Sequence, residues 1–241
     1  VIALYDLSYR PASFDFVTYL ATATTCGADH VRFVLGKFRK KNYSNPQERF
    51  DSIVEPAVKL YGIDYSVGEP EGVQYSHFFS GCLKAFNSLG HLNKIKWPIE
   101  PKNYITITLR KSRNPERDSK EDEWLKFAKR CKDKAIIIRD YDERPLSLED
   151  RMSLYAGAKM NLMVINGPLT LCIHSDAPYL SMRTIGCERS QSTSPAFMEK
   201  IGITPGFQFP WANANQRLSY LDDTCENIES EYERMQDAIC V

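Results

Sequence analysis

Arg110, Lys111, Arg113 and Arg117 put four cations within eight residues, directly after the alternating run Ile105-Thr106-Ile107-Thr108-Leu109. A guanidinium can fork onto two phosphate oxygens at once and oppose the negative charge that grows on a leaving diphosphate. Arg110 is the first residue past the run. If the run is a strand of a parallel sheet, Arg110 stands at the carboxyl edge, where such sheets bind ligands. Arg113, Arg117 and Lys120 read as solvated loop charges, the commoner fate of such a cluster. A second stretch of interest is Asn161-Leu-Met-Val-Ile-Asn166-Gly167-Pro168, an apolar strand ending in a small-residue corner. A corner that feeds a helix offers backbone N–H groups and the positive end of a dipole, a place for a diphosphate. The alternative is an ordinary connection in which Gly167 only relieves backbone strain.

Other chemistries lack their residues. His30, His77, His91 and His174 have no metal-ligand spacing and read as structural, and neither HExxH nor a paired-carboxylate motif is present. The absence of GxGxxG, GxxxxGK[ST] and GxSxG argues against a nicotinamide dehydrogenase, a P-loop NTPase and an α/β-hydrolase. Seven scattered cysteines with no CxxC pair read as reduced thiols of a cytoplasmic protein. Cys172, between Leu171 and Ile173, reads as a packed thiol rather than a nucleophile. Thirty-one basic residues balance 31 acidic ones, so no global field gathers nucleic acid or anionic membrane. Any phosphate must be held locally. The longest apolar runs have strand length, and none spans a bilayer. The aromatic segment 207–217 suits sugar or base recognition, or else fastens the last helix across the lobe junction.

The elements that must position these residues follow from periodicity. Residues 1–7 alternate as a strand, without the basic and apolar regions of a signal peptide, and the missing initial Met points to trimming. A helix from 14 to 26, a strand over 30–36 and a helix over 46–61 stopped by Gly62 complete a βαβα opening. Residues 74–79 are expected as a further strand and 81–89 as a short helix. The prolines Pro98 and Pro101 mark a boundary, giving lobes over 1–98 and 99–241. The second lobe repeats the alternation. It has strand 104–109, helix 119–130, buried strand 134–139, helix 147–158 with a Ser147/Asp150 capping box, strand 160–165, a helix or turn over 167–174, and strand 178–182. Residues 184–195 are expected as an exposed loop, 203–214 as irregular, and about 222–238 as an acidic closing helix. The fold class is therefore α/β, two Rossmann-like lobes with parallel sheets.

The strand ending in Leu109-Arg110-Lys111, the strand running into Asn166-Gly167-Pro168, and Ser175-Asp176-Ala-Pro-Tyr together resemble the carboxyl-terminal lobe of GT-B glycosyltransferases, in the fucosyltransferase-like and heptosyltransferase-like groups. The likeness covers residues 104–220. It implies transfer of a sugar from a nucleotide-diphosphate donor without metal or other cofactor. The diphosphate would lie between Arg110, Lys111 and the Asn166-Gly167-Pro168 corner, with Ser175 and Asp176 in the same site and the base near residues 140–143. A glycan or small-molecule acceptor would enter from the first lobe, where Asp6, Arg10 and Asp15 follow the first strand. Asp6 or Asp15 would be the general base. Asp15 is equally suited to favouring a helix dipole from the first turn. Two other functions fit the residues: a non-catalytic sugar- or nucleotide-binding protein of the same fold, and a sugar-nucleotide epimerase on a single doubly wound sheet.

Overall fold

A continuous apolar run buried on both faces makes Ile2–Asp6 (β1), apolar residues at alternate positions make His30–Val34 (β2), and Asp15–Thr25 (α1) lies between them. The computed structural model describes residues 1–35, 46–112, 114–139, 141, 146–186 and 193–239. Its contacts divide the chain into one unit of Val1–Trp97 with Ser147–Asp150 and a second of Pro98–Leu146 with Arg151–Val241.

In the first unit, Pro46–Arg49 (α2), a π-helical turn Phe50–Val54 and Glu55–Tyr61 (α3) run on from one another until Gly62, at φ 63°, ends them in a left-handed cap. Asp64–Val67 (β3) follows, then Phe79–Leu89 (α4). The three strands pair in parallel in the order β1-β2-β3, with Ile2 opposite His30 and His30 opposite Asp64. On the free side of β1, Val73 forms a single parallel bridge to Ala3. Residues 74–79 make no strand. β3 was missed because it is only four residues long and its apolar Tyr65 and Val67 stay exposed. Helix α1 is buried nearly all round. Its Thr22, Thr24 and Thr25 hydroxyls donate to the carbonyls of Thr18, Leu20 and Ala21, which lets polar side chains lie in the interior. Tyr5, Phe16, Tyr19 and Phe33 form the aromatic centre, ring to ring at 4.6 to 6.3 Å.

The second unit carries Tyr104–Leu109 (β4), Glu121–Arg130 (α5), Lys134–Arg139 (β5), all but the first three residues of Leu148–Ala156 (α6), Met160–Val164 (β6), Leu169–Ile173 (α7), Tyr179–Met182 (β7), Pro195–Lys200 (α8), Gln216–Leu218 (β8) and Cys225–Ile239 (α9). Its five strands are all parallel in the order β5-β4-β6-β7-β8. Ile105, Ile107 and Leu109 bury one face of β4 against Trp124 and Phe127 of α5 and Ile228, Tyr232 and Met235 of α9. Each such side chain contributes about 1.5 to 3 kcal/mol. Thr106 and Thr108 point the other way and are satisfied by Asn161 Oδ1 at 2.6 Å and the Tyr155 hydroxyl at 2.8 Å. Ser147 Oγ caps α6 by accepting from the Asp150 N–H at 3.0 Å, and the Ser147 hydroxyl, rather than its backbone N–H as in a full capping box, donates to Asp150 Oδ2 at 2.7 Å.

Three expectations change here. β5 is an edge strand, half-buried rather than buried, because no strand covers its outer side. The segment 184–195 is no uniformly exposed loop. Thr184 and Thr193 are buried and Pro195 opens α8, while residues 187–192 lie outside the described residues. Two separate sheets replace the single doubly wound sheet that the epimerase alternative requires.

Candidate functional site

The chain leaves β4 toward β5 and leaves β6 toward β7, on the other side. The connections after β4 and β6 therefore part at the carboxyl edge, opening the switch-point crevice at which parallel sheets take ligands. Arg110 is the first residue past β4. Its N–H donates to Ser119 Oγ at 2.9 Å and its carbonyl accepts from the Ser119 N–H at 3.0 Å. With the main chain so tied, the guanidinium crosses to β6, Nη1 donating to the Ile165 carbonyl at 3.2 Å. Arg110 and the Asn166-Gly167 corner are thus brought together.

The corner itself differs from the expectation. Asn166 Oδ1 accepts from the Leu169 N–H at 3.0 Å, and the Gly167 carbonyl accepts from the N–H and hydroxyl of Thr170 at 3.0 and 2.8 Å. The Leu171 N–H donates to Pro168 at 3.1 Å, and Pro168 has no N–H to offer. The amides of Leu169, Thr170 and Leu171 are thus engaged within the turn, and α7, five residues long, adds little dipole. The Asn166 amide Nδ2 is buried and has no hydrogen-bond partner among the described residues. Gly167 does not have a positive φ, so relief of backbone strain is not its role.

Positive charge at this edge comes from residues the sequence did not single out. Arg183, first past β7, holds φ at 48°, a left-handed conformation that costs a residue with a Cβ about 1 to 2 kcal/mol. Its N–H donates to the Leu221 carbonyl at 2.9 Å, Nη2 donates to the Asp118 carbonyl, and Nε faces Asp223 Oδ1 at 3.5 Å. Asp223 is fully buried, and its Oδ2 accepts from the Lys120 N–H and the Trp124 indole N–H, both at 2.9 Å. Burial pushes this carboxyl above its usual range, against the pull of the Lys120 amide and Arg183. Arg117, expected to be a solvated loop charge, has its Nε sealed from solvent. With Arg183, Val164, Ile165, Gly186 and Thr193 it lines a half-open recess enclosing about 200 Å³, part of it open to solvent. Most of that space is open solvent and the enclosed part holds no more than a water-sized group, so the recess as it stands has no room for a nucleotide sugar.

The other expected residues lie elsewhere. Lys111 turns to the β5 side, its Nζ 5.5 Å from the centre of the Tyr141 ring. Nearby, Glu121 accepts from the Tyr141 hydroxyl and from Arg139, which hold its carboxyl below the usual range. Ser175 and Asp176 are at the wrong edge of the sheet. α7 returns from the carboxyl end of β6 to the amino end of β7, and the Pro178 carbonyl accepts from the N–H of Asn161, near the start of β6. Ser175 is buried there, its Oγ accepting from the Ala177 N–H, and its carbonyl joins those of Cys172 and Ala177 around Gln216 Nε2. The aromatic segment closes the same amino edge. Trp211 Nε1 donates to the Ile173 carbonyl at 3.1 Å and Phe209 stacks on Trp211 at 4.9 Å, so these rings secure the end of α7 rather than a pocket or the last helix. Cys172 is buried and its thiol is pushed far up by burial. Asp140, Asp142 and Glu143, expected near the base, lie outside the described residues. Among the described residues, no group of three or more His, Cys, Asp and Glu is placed to hold a metal ion.

In the first unit, Asp6 Oδ1 accepts from the Ser8 N–H at 2.9 Å and the Ser8 hydroxyl at 2.5 Å. Asp15 opens α1 with an exposed carboxylate that accepts from Ser13 Oγ at 3.0 Å. Arg10 Nη1 donates to the Tyr75 carbonyl at 2.7 Å and lies 3.3 Å from His77 Nδ1. His77, expected to be structural, therefore stands among the candidate acidic residues. Burial, then Arg10, lowers its pKa, and Asp15 opposes. Partners 67 residues apart left no pattern by which sequence reading would find this pair.

No protein-family model matches the chain, and no curated protein matches it by sequence. Solved structures do match. E. coli heptosyltransferase WaaC with ADP aligns over 98% of this chain and 100% of its own, with TM-score 0.51 at 12% identity. The chain has a GT-B-type fold. The same E. coli enzyme with ADP-2-deoxy-2-fluoro heptose aligns over 97% and 99% of the two chains at TM-score 0.49 and 12% identity. TibC from enterotoxigenic E. coli H10407, an iron-containing dodecameric glycosyltransferase, aligns over 88% of this chain and 61% of its own at TM-score 0.48 and 11% identity. At 12% identity the likeness to the ADP complex carries the fold alone, in line with the α/β class read from the alternation of strands and helices. Among the described residues, no helix is long and apolar enough to cross a membrane.

Proposed function

We propose that the chain is a glycosyltransferase that moves a sugar from a nucleoside-diphosphate donor to a hydroxyl-bearing acceptor. The observation that carries this reading is the convergence of Arg110 and Arg117, from the loop after β4, and Arg183, from the loop after β7, on the carboxyl end of β6. Guanidiniums so placed bind a diphosphate and stabilise the charge it gains as the bond to the sugar breaks, the part a metal plays elsewhere. The buried Asn166 Nδ2 adds a neutral donor at the same corner. The first unit serves the acceptor. Asp15, the exposed carboxylate of the first unit, is the candidate base for an acceptor hydroxyl whose oxygen replaces the diphosphate on the sugar. The WaaC structure of similar fold is a complex with ADP, so ADP is the first diphosphate to try.

Thermal-shift titration with ADP, UDP, GDP and CDP, with and without chelator, tests the reading. A rise in Tm with one of them that survives the chelator is the expected result. No shift with any of the four at millimolar concentration overturns it. A non-catalytic nucleotide-binding protein of the same fold is favoured by one observation, the engagement of Asp6 by Ser8, which leaves one exposed carboxylate as candidate base. Product formation from a nucleotide sugar, or hydrolysis of it, separates the two.

A further inference from the structure

The first unit has a switch point of its own. β1 pairs with β2 on one side and with Val73 on the other, and because the Val73 bridge is parallel, residues 74–77 run beside β1 toward its carboxyl end. There the loop after β1 meets them. Arg10 is held at three points: its Nη1 donates to the Tyr75 carbonyl, and its guanidinium carbon lies 5.5 and 5.4 Å from the centres of the Tyr5 and Tyr19 rings. Its contact with His77 Nδ1 at 3.3 Å then has a single polarity. A guanidinium has only N–H donors and does not deprotonate, so Nδ1 must be the acceptor. A neutral imidazole with its lone pair on Nδ1 carries its proton on Nε2. That atom has no hydrogen-bond partner among the described residues, and it is not among the polar atoms sealed from solvent.

Asp15 lies close by. It is four residues before Tyr19 on α1, hence on the same helix face, one turn nearer the start, and Tyr19 is the ring that Arg10 covers. Its carboxylate can only accept. Phe78, 46% exposed, sets its ring 4.1 Å from the centre of the His77 imidazole. A fixed donor, a fixed acceptor and an apolar ring face on one edge select a ligand by chemistry. An anion would meet Asp15 and a cation would meet Arg10. A hydroxyl group, donor and acceptor at once, matches both.

We propose that Arg10 locks His77 in the Nε2–H tautomer so that His77 donates to, and Asp15 accepts from, the hydroxyl groups of a neutral polyhydroxyl ligand, with Phe78 against its carbon face. This names the acceptor class for the glycosyltransferase reading and rests on that reading only for the fate of the ligand. It also makes His77 a binding and positioning residue rather than a base, since Nδ1 is occupied and Nε2 already carries a proton. The lowered pKa of His77 agrees, keeping the ring neutral beside the charged Arg10 and Asp15 and the phenols of Tyr19 and Tyr75.

Two-bond proton–nitrogen correlation spectra of the whole protein labelled with 15N-histidine read the tautomer directly. At pH 7 His77 is expected to show an unprotonated Nδ1 and a protonated Nε2, and the Nε2 signal is expected to move saturably with methyl galactoside, methyl mannoside or methyl glucoside. In Arg10→Met the two tautomers should mix. Arg10→Lys, which keeps a donor, should restore the Nε2–H form and also serves if the Met variant does not fold. An Nδ1–H or doubly protonated ring in the native protein overturns the proposal, as does a His77 spectrum unchanged in Arg10→Met or a signal that none of the three glycosides moves. Failure of every nucleoside diphosphate to bind would instead remove the glycosyltransferase reading and leave these spectra as they are.

Discussion

Replacing Arg183 separates its two jobs, because one belongs to its backbone and the other to its guanidinium. In Arg183→Ala the buried Asp223 loses its ion-pair partner while keeping the Lys120 and Trp124 donors. Breaking a buried pair from one side costs about 3 kcal/mol or more, which lowers Tm by roughly 6 to 12 °C in a chain of this size. Arg183→Gly loses the same pair but sheds the strain of φ 48°. Strain of about 1 to 2 kcal/mol, less the greater freedom of an unfolded glycine, leaves about 1 kcal/mol, or roughly 2 to 4 °C, in favour of Gly. Both variants should lose diphosphate affinity alike, by about 1.5 to 3 kcal/mol for a charged hydrogen bond. The Ala deficit also has a pH signature. Without Arg183 the Asp223 pKa rises further above its unfolded value of about 3.9, so the neutral form favours folding. That contribution is fully present below the unfolded pKa and is lost as pH rises through the folded one. The gap to the native protein should therefore narrow from pH 7 toward pH 4. Scanning calorimetry across pH with titration of ADP measures all three effects. Equal Tm values for the Ala and Gly variants would refute the strain argument, and unchanged ADP affinity would take Arg183 out of the site.

Further expectations concern the same edge and the far end of the second unit. Arg110→Ala should weaken ADP binding by about 10- to 160-fold, the range for a charged hydrogen bond, by titration calorimetry; an unchanged Kd removes Arg110 from the site. Asn166→Ser keeps an acceptor for the Leu169 N–H but deletes the buried Nδ2, so Tm should change little while ADP affinity falls about 2- to 13-fold; a fall in Tm with intact binding would show that the amide serves only the fold. Asp133 accepts from Lys159 Nζ and the Tyr232 hydroxyl, both at 2.6 Å, and Lys159, then Tyr232, hold its carboxyl below the usual range. Its stabilisation is therefore present above the unfolded pKa of about 3.9 and lost as pH falls through the folded one. Asp133→Asn should be less stable than the native protein at pH 7 and converge with it at pH 2 to 3 in denaturant titrations; parallel curves would contradict this.

The alternation of strands and helices was legible because the buried strands carry it in their residues. Ile105, Ile107 and Leu109 face the core of the second unit, and Gly62 stops α3 where its left-handed φ requires. The short β3 and the three-residue β8 were not legible, since neither buries enough apolar surface to leave a pattern. Ser175 and Asp176 were misplaced by taking neighbours in sequence for neighbours in space. A helix leaving the carboxyl end of one parallel strand must return to the amino end of the next, and that rule alone puts them at the opposite edge. Arg183 was available to the reasoning that chose Arg110, a cation at the first position past a parallel strand, but the polar stretch after it drew it into a loop. His77 was out of reach, because only the fold brings it to Arg10.

Ser119 ties both main-chain groups of Arg110, so the eight residues between them hang from a closed neck. Lengthening or rewriting that appendage would leave the guanidinium anchored, while Arg117 within it would carry any change straight to the wall of the recess. On the function proposed, donor preference would be retuned by grafting one surface loop, with the charge-bearing anchor and the sheet beneath it untouched.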